Sequence, residues 1–364
     1  MIKVRYNPTP FVFILIGLVF LTGCDQRRNN EVVFEDFEAG DIKGGILIQA
    51  SENSDASSFP DMNDEGMIAF GCGEGVLTSL CVIHANGSGR RVIDRAKNNT
   101  DNNWHPSINN DGTIVYVCET GENIYSLCLT DIDASNIKVL DRATSNAEAV
   151  WAPAINNEGN IAYTCRAENL NHLCIINADG SDKQTLAEVG DVVAFPSIND
   201  AGVIVYECGT GGVANICAIH FDGTDERMVA PADGFDNQNT HPHINNDGWV
   251  AYECANNSLT ELCVIHVDGT GEKVLDEAAR LGEHRSRPSI NNSGMITYEC
   301  ATQRIISVCL INVDGSNRQT LANASGSSDE KSFPMINENQ TIAYLCETEA
   351  IDSLCVTRLS RGEE

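Results

Sequence analysis

The chain has 364 residues, with 52 Asp and Glu against 23 Lys and Arg, for a formal charge of −29. So acidic a chain repels nucleic-acid phosphate and anionic membrane surfaces, which excludes a nucleic-acid partner. A 42% hydrophobic share with 21% charged residues is that of a chain with a core, and fifteen cysteines point to an oxidising compartment.

Residues 1–23 come first in chain order. Lys3 and Arg5 precede an apolar run from Phe11 to Thr22. That run is well short of the roughly 20 residues needed to cross a bilayer, so it reads as a signal peptide. Leu21-Thr22-Gly23-Cys24 resembles the bacterial lipoprotein box. The resemblance implies that Cys24 is acylated, becomes the mature N-terminus and anchors the chain to a membrane. It also implies a place in the cell envelope, facing the periplasm or the cell surface, and Asp25 resembles an inner-membrane retention signal of enteric bacteria. Residues 24–43 are polar and acidic, follow no period and read as a tether.

The rest is a repeat. Pro60, Pro106, Pro153, Pro196, Pro242, Pro288 and Pro334 are spaced 46, 47, 43, 46, 46 and 46 residues apart. Three residues after each proline comes Asn, and ten after comes Phe70 or a tyrosine, from Tyr116 to Tyr344. Next comes a cysteine (Cys72, Cys118, Cys165, Cys208, Cys254, Cys300, Cys346), then a second nine or ten residues later (Cys81, Cys128, Cys174, Cys217, Cys263, Cys309, Cys355). Within a unit, Thr113 to Cys118 alternates as a strand, with Ile114, Tyr116 and Cys118 on one face. A second strand surrounds Leu127-Cys128-Leu129, and a third ends at Leu140. The intervening Asp-Gly and Asn-Gly pairs favour hairpins. With the stretch around the proline, this predicts four short antiparallel strands per unit and no helix. The fold class is therefore all-β, a seven-bladed β-propeller over residues 44–360.

The seventh unit ends nine residues after Cys355, too early for an outer strand. Leu47 lies thirteen residues before Pro60, as Ile93 does before Pro106, so residues 44–49 are expected to complete the last blade. Each cysteine pair brackets a hairpin, which predicts one disulfide within every blade, between directly opposed positions. Zinc is excluded because each blade offers two thiolates where a tetrahedral site needs four ligands.

The run Pro-x-Ile-Asn-x-x-Gly-x-Ile-x-Tyr, then Asp-Gly and a terminal Leu, resembles the TolB-type propeller repeat over residues 44–358. The family has Ser where this chain has Asn, and Gln340 replaces the glycine found at Gly66 and Gly112. The resemblance implies a periplasmic propeller and says little about function.

A site should break the period. His84, His220 and His266 do not, since each stands where other blades place Asp131, Asn177 or Asn312, as turn caps. No stretch has the Asp/Asn spacing and distal Glu of a calcium loop. The loops before the prolines do vary. They carry Trp104, His105, Trp151, His284, Arg285 and Arg287, which in a propeller share the channel mouth, where they either bind a sugar, peptide or partner surface or pack the loops. Gln238, His241 and His243 resemble the Gln-x-x-His-Pro-His metal segment of oligogalacturonate lyases, which implies a divalent-cation site. No nucleophile motif or Ser-His-Asp spacing is present. The sequence thus predicts a lipid-anchored, non-catalytic scaffold without a cofactor, presenting its loops to a protein or glycan. The alternative is a metal-dependent carbohydrate-active enzyme resembling oligogalacturonate lyase.

Overall fold

The computed structural model describes residues 37–39 and 42–359, apart from 51–56, 75–76, 97–102, 123, 146–147, 168–169, 191, 235–236, 258, 304, 327–329 and 349–350. The expected signal peptide, Cys24 and Asp25 lie outside the described residues, as does most of the tether. No helix among the described residues is long and apolar enough to cross a membrane.

The regular structure is strand throughout, in seven four-stranded antiparallel units, two of them joined into one sheet by the Thr260–His284 bridge. The second unit is typical: an inner strand Asn103–Ile108, then Thr113–Gly121, Ile124–Asp131 and an outer strand Lys138–Asp141. The seventh contributes Lys331–Ile336, Thr341–Thr348 and Ile351–Leu359 and takes its outer strand from Ile42–Ile48, paired antiparallel with Ile351–Leu359. The closing strand thus begins two residues before the expected 44–49. A further strand, Phe37–Ala39, folds back on it and covers the edge it would expose.

Seven apolar clusters account for the core, and each lies between two neighbouring units. The aromatic of the second strand is the largest side chain in them: Phe70, Tyr116, Tyr163, Tyr206, Tyr252 and Tyr298 are at most 1% exposed. Tyr116, Tyr163 and Tyr298 donate their hydroxyls to Asp94, Asp141 and Asp276 on the preceding outer strand, at 2.7–2.9 Å.

At the narrow end of the channel the repeated asparagines close the circle. Asn63 Nδ2 donates to Asn109 O, Asn109 to Asn156 O, and so on through Asn199, Asn245, Asn291 and Asn337, which returns to Asn63 O, all at 2.9–3.3 Å. Each Oδ1 accepts the N–H four residues on, at 2.8–3.0 Å, and so fixes its own turn. Seven such links in a closed cycle make the blade count a matter of geometry.

The seven disulfides pair as expected within each blade, with Cα atoms 5.8–5.9 Å apart. Their register differs from expectation. Cys118 lies opposite Ser126 and Cys128 opposite Tyr116, so the bridge spans a diagonal rather than a facing pair. Strand twist brings that diagonal inside the disulfide window. His84, His220 and His266 cap the following turn, their Nδ1 accepting the N–H two residues on at 3.1, 3.4 and 3.4 Å.

Two stability outcomes follow from these positions. Asn109→Ala removes two hydrogen bonds from a residue 5% exposed, so urea unfolding should report a loss of about 2–4 kcal/mol. Gln340 holds φ 58° where its counterparts are glycines at 75–85°. Gln340→Gly should therefore raise stability by about 0.5–1 kcal/mol in the same assay, the relieved strain exceeding the added backbone entropy.

Candidate active site

Each inner strand carries the residue before its proline in the left-handed region: Phe59, His105, Ala152, Phe195, His241, Arg287 and Phe333 have φ of 38–51°. In six blades the inner strand slips register at this point, as between Trp104 and Ser107. A non-glycine residue held there costs roughly 1–2 kcal/mol, and the strain recurs around the whole ring. The bulge sends these seven side chains to the wall of the channel, where with the prolines and the residues after them they line a cavity of about 380 Å³.

Behind this wall, and not among the residues lining it, blades 4, 5 and 6 each carry a buried carboxylate. Glu207, Glu253 and Glu299 precede the first cysteine of their blades and are 5%, 9% and 4% exposed. Each accepts the backbone N–H of the left-handed residue on the next blade: His241 at 2.8 Å, Arg287 at 2.8 Å and Phe333 at 2.9 Å. Glu253 also receives the Thr240 hydroxyl at 3.2 Å, and Glu299 that of Ser286 at 2.9 Å. His241 Nδ1 lies 3.1 Å from Glu253 Oε1, and Arg287 Nε lies 3.8 Å from Glu299 Oε1. The Arg287 guanidinium rests on the face of Phe333, 3.7 Å from the ring centre.

These surroundings drive the ionisable groups apart. Burial pushes Glu207 up to about 7, with the single His241 N–H opposing it too weakly to restore an ordinary carboxylate. Burial also raises Glu253, but His241 and the Arg287 N–H outweigh it and hold Glu253 below its usual range. Burial works against the charge of His241, and Glu253 overcomes it, so His241 is raised. Burial, aided by Arg287, lowers His105 to about 4, and burial lowers His243 to about 4. The wall therefore holds His241, whose protonated form Glu253 favours, and two imidazoles, His105 and His243, whose protonation burial opposes, with Glu207 buried behind His241 and held above the ordinary carboxylate range. Opposed shifts of this kind in adjacent groups are what acid–base chemistry requires.

Of the residues singled out by sequence, the channel gathers His105, His241, His243 and Arg287. Trp104, Trp151, His284 and Arg285 do not line it. Arg285 is 7% exposed, its Nε bonded to Asp276 at 2.7 Å and its Nη1 to Ala301 O at 3.0 Å. It occupies the place of Asn103 and Asn239, whose amides likewise tie the inner strand to the preceding outer strand. Trp104 packs on Tyr125, ring centres 5.0 Å apart. Gln238 precedes the inner strand Asn239–Ile244, and its carbonyl accepts the Ala255 N–H at 2.8 Å. His243 Nδ1 accepts the Ile290 N–H at 3.2 Å. A neutral His243 must then carry its proton on Nε2, the nitrogen that a channel cation would need. Among the described residues no group of three or more His, Cys, Asp or Glu side chains is placed to hold a metal ion. Period alone passes over Glu207, Glu253 and Glu299, although Gly71, Val117, Thr164 and Leu345 in the same position mark them as a departure.

No family model matches the chain, and no curated protein matches it. Among solved structures it is similar to an oligogalacturonate lyase in complex with manganese, at 11% identity and TM-score 0.68, over 90% of this chain and 96% of that one. It is also similar to the oligogalacturonate lyase of Vibrio parahaemolyticus, at 12% identity and TM-score 0.69, over 91% and 98%. TolB from Acinetobacter baumannii matches at 15% identity and TM-score 0.52, over 71% and 62%. These likenesses show a TolB-like β-propeller fold. They also overturn the expected non-catalytic scaffold: the two lyases match nearly end to end and favour the enzymatic alternative. The donor set around Gln238, His241 and His243 does not fit the manganese of the first.

The raised Glu207 gives a stability signature. Its proton is held more tightly in the folded chain than in the unfolded one, so the native state carries the extra proton between pH 4.5 and about 7 and stability falls as pH rises through that window. Glu207→Gln should flatten this fall in melting temperature measured across the window, and should melt higher than the parent above it.

Proposed function

We propose that the channel mouth is the active site of a carbohydrate-active lyase that cleaves an acidic oligosaccharide by β-elimination next to a uronate. The observation that carries this reading is the pair His241 and Arg287 on the cavity wall, with Glu207 and Glu253 buried directly behind them and bonded to their backbone N–H groups. Arg287, the arginine of the channel wall, is placed to pair with the uronate carboxylate and to stabilise the charge that grows on it when the neighbouring C–H is broken. Glu207 takes that proton. A base titrating near 7 is deprotonated in part and still basic enough to react. The C5 electron pair forms the C4–C5 double bond, the C4–O bond breaks, and the leaving oxygen takes a proton from His241, whose protonated form Glu253 favours. Glu253 holds the His241 ring and its charge. Protons and electrons balance without water or an oxidant. The end-to-end likeness to two oligogalacturonate lyases supports the substrate class. The lipid-box reading of Leu21–Cys24 supports a place on the envelope, where acidic oligosaccharides would reach it.

Incubation with oligogalacturonate should produce unsaturated ends, read as a rise in ultraviolet absorbance. kcat/KM should climb with pH through about 7 as Glu207 ionises. Arg287→Ala and Glu207→Gln should each lower it by about 10²–10⁴-fold while leaving the melting transition cooperative. An absence of unsaturated product from galacturonate, guluronate and glucuronate oligomers alike would remove this reading.

A further inference from the structure

The ring of left-handed residues is uneven. Arg287 lies over Phe333 at 3.7 Å, Phe333 meets Phe59 at 5.1 Å, and Phe59 stacks on His105 at 4.0 Å between centres. On the other side Phe195 meets His241 at 5.0 Å. Between His105 and Phe195 stands Ala152, on blade 3, and its neighbour in the channel wall is Ala154. Blade 3 thus gives the cavity two methyl groups where the other blades give rings, a guanidinium, hydroxyls or a carboxylate. The wall is low here, and the low point adjoins the blade that carries Glu207.

We infer that Ala152 is the notch through which the rest of an acidic oligosaccharide leaves the cavity, so that this residue sets how chain length is read. The inference rests on the lyase reading of the channel mouth. A sugar whose uronate carboxylate pairs with Arg287 has side chains of blades 5, 6, 7, 1 and 2 around it. The next residues of the same chain have the blade 3 side open to them. Residues of a longer chain beyond the one held by Arg287 gain contacts by passing over Ala152 against Trp151, which is half-buried beside it.

Closing the notch tests this. Phenylalanine already occupies the same left-handed position in three other blades, with φ of 38–51°, so the backbone accepts Ala152→Phe. The wild-type protein should cleave tetragalacturonate with a higher kcat/KM than digalacturonate. Ala152→Phe should reduce the tetramer-to-dimer ratio by roughly tenfold or more, while Ala152→Ser, which leaves the gap open, keeps it. Ala152→Leu provides the same obstruction in smaller form should the phenylalanine variant melt early. An unchanged ratio in a folded Phe or Leu variant would overturn the notch and leave the lyase intact. Failure of the wild type to cleave either oligomer would overturn both.

Discussion

Each sheet of this protein is apolar on both faces and too small to bury either one alone, so its two neighbours must do it. That constraint organises everything else. The seven apolar clusters lie between units, not within them, and none is complete without the next. An open row would leave two faces in water, and the circle leaves none. The asparagine amides at the narrow end express the same requirement as hydrogen bonds, each spanning one interface and the last returning to the first. Ile42–Ile48 joins the two ends of the chain inside one sheet, so the ring cannot open without breaking a ladder.

A closed ring also tolerates local strain. Seven residues before proline are held at positive φ because the strands on either side are pinned by their neighbours, and the effect is to gather seven side chains on one cavity. On three of the interfaces the pin is a carboxylate from the preceding blade. At Thr164 a hydroxyl instead accepts the N–H of Ala194, one residue before the left-handed Phe195, at 3.1 Å. Three buried carboxylates in succession are an expensive way to hold an amide, and two of them also lie beside a side-chain nitrogen, Glu253 beside His241 and Glu299 beside Arg287.

Against a chain charge of −29, the cavity wall carries Arg287 and His241. Charges farther from the cavity than about one Debye length, roughly 8 Å at physiological salt, are screened, while Arg287 and His241, whose charge Glu253 favours, act at contact distance.

Much of the architecture was legible because it is local and repeated. The prolines, asparagines and buried aromatics give the blade count, the cysteine spacing gives seven hairpin bridges, and the short seventh unit calls for an outer strand from the other end of the chain. These follow from strand alternation and turn chemistry within about 46 residues. The channel was not legible in that way. A bulge before the proline in six blades breaks the alternation, so His105 and Arg287 reach the cavity while Trp104 packs on Tyr125 of its own blade and Arg285 packs into an interface. Glu207 meets its partner His241 thirty-four residues later, on another blade, and its ionisation depends on burial between the two. Spacing along a chain fixes which residues recur; only the closed ring decides which of the exceptions face one another.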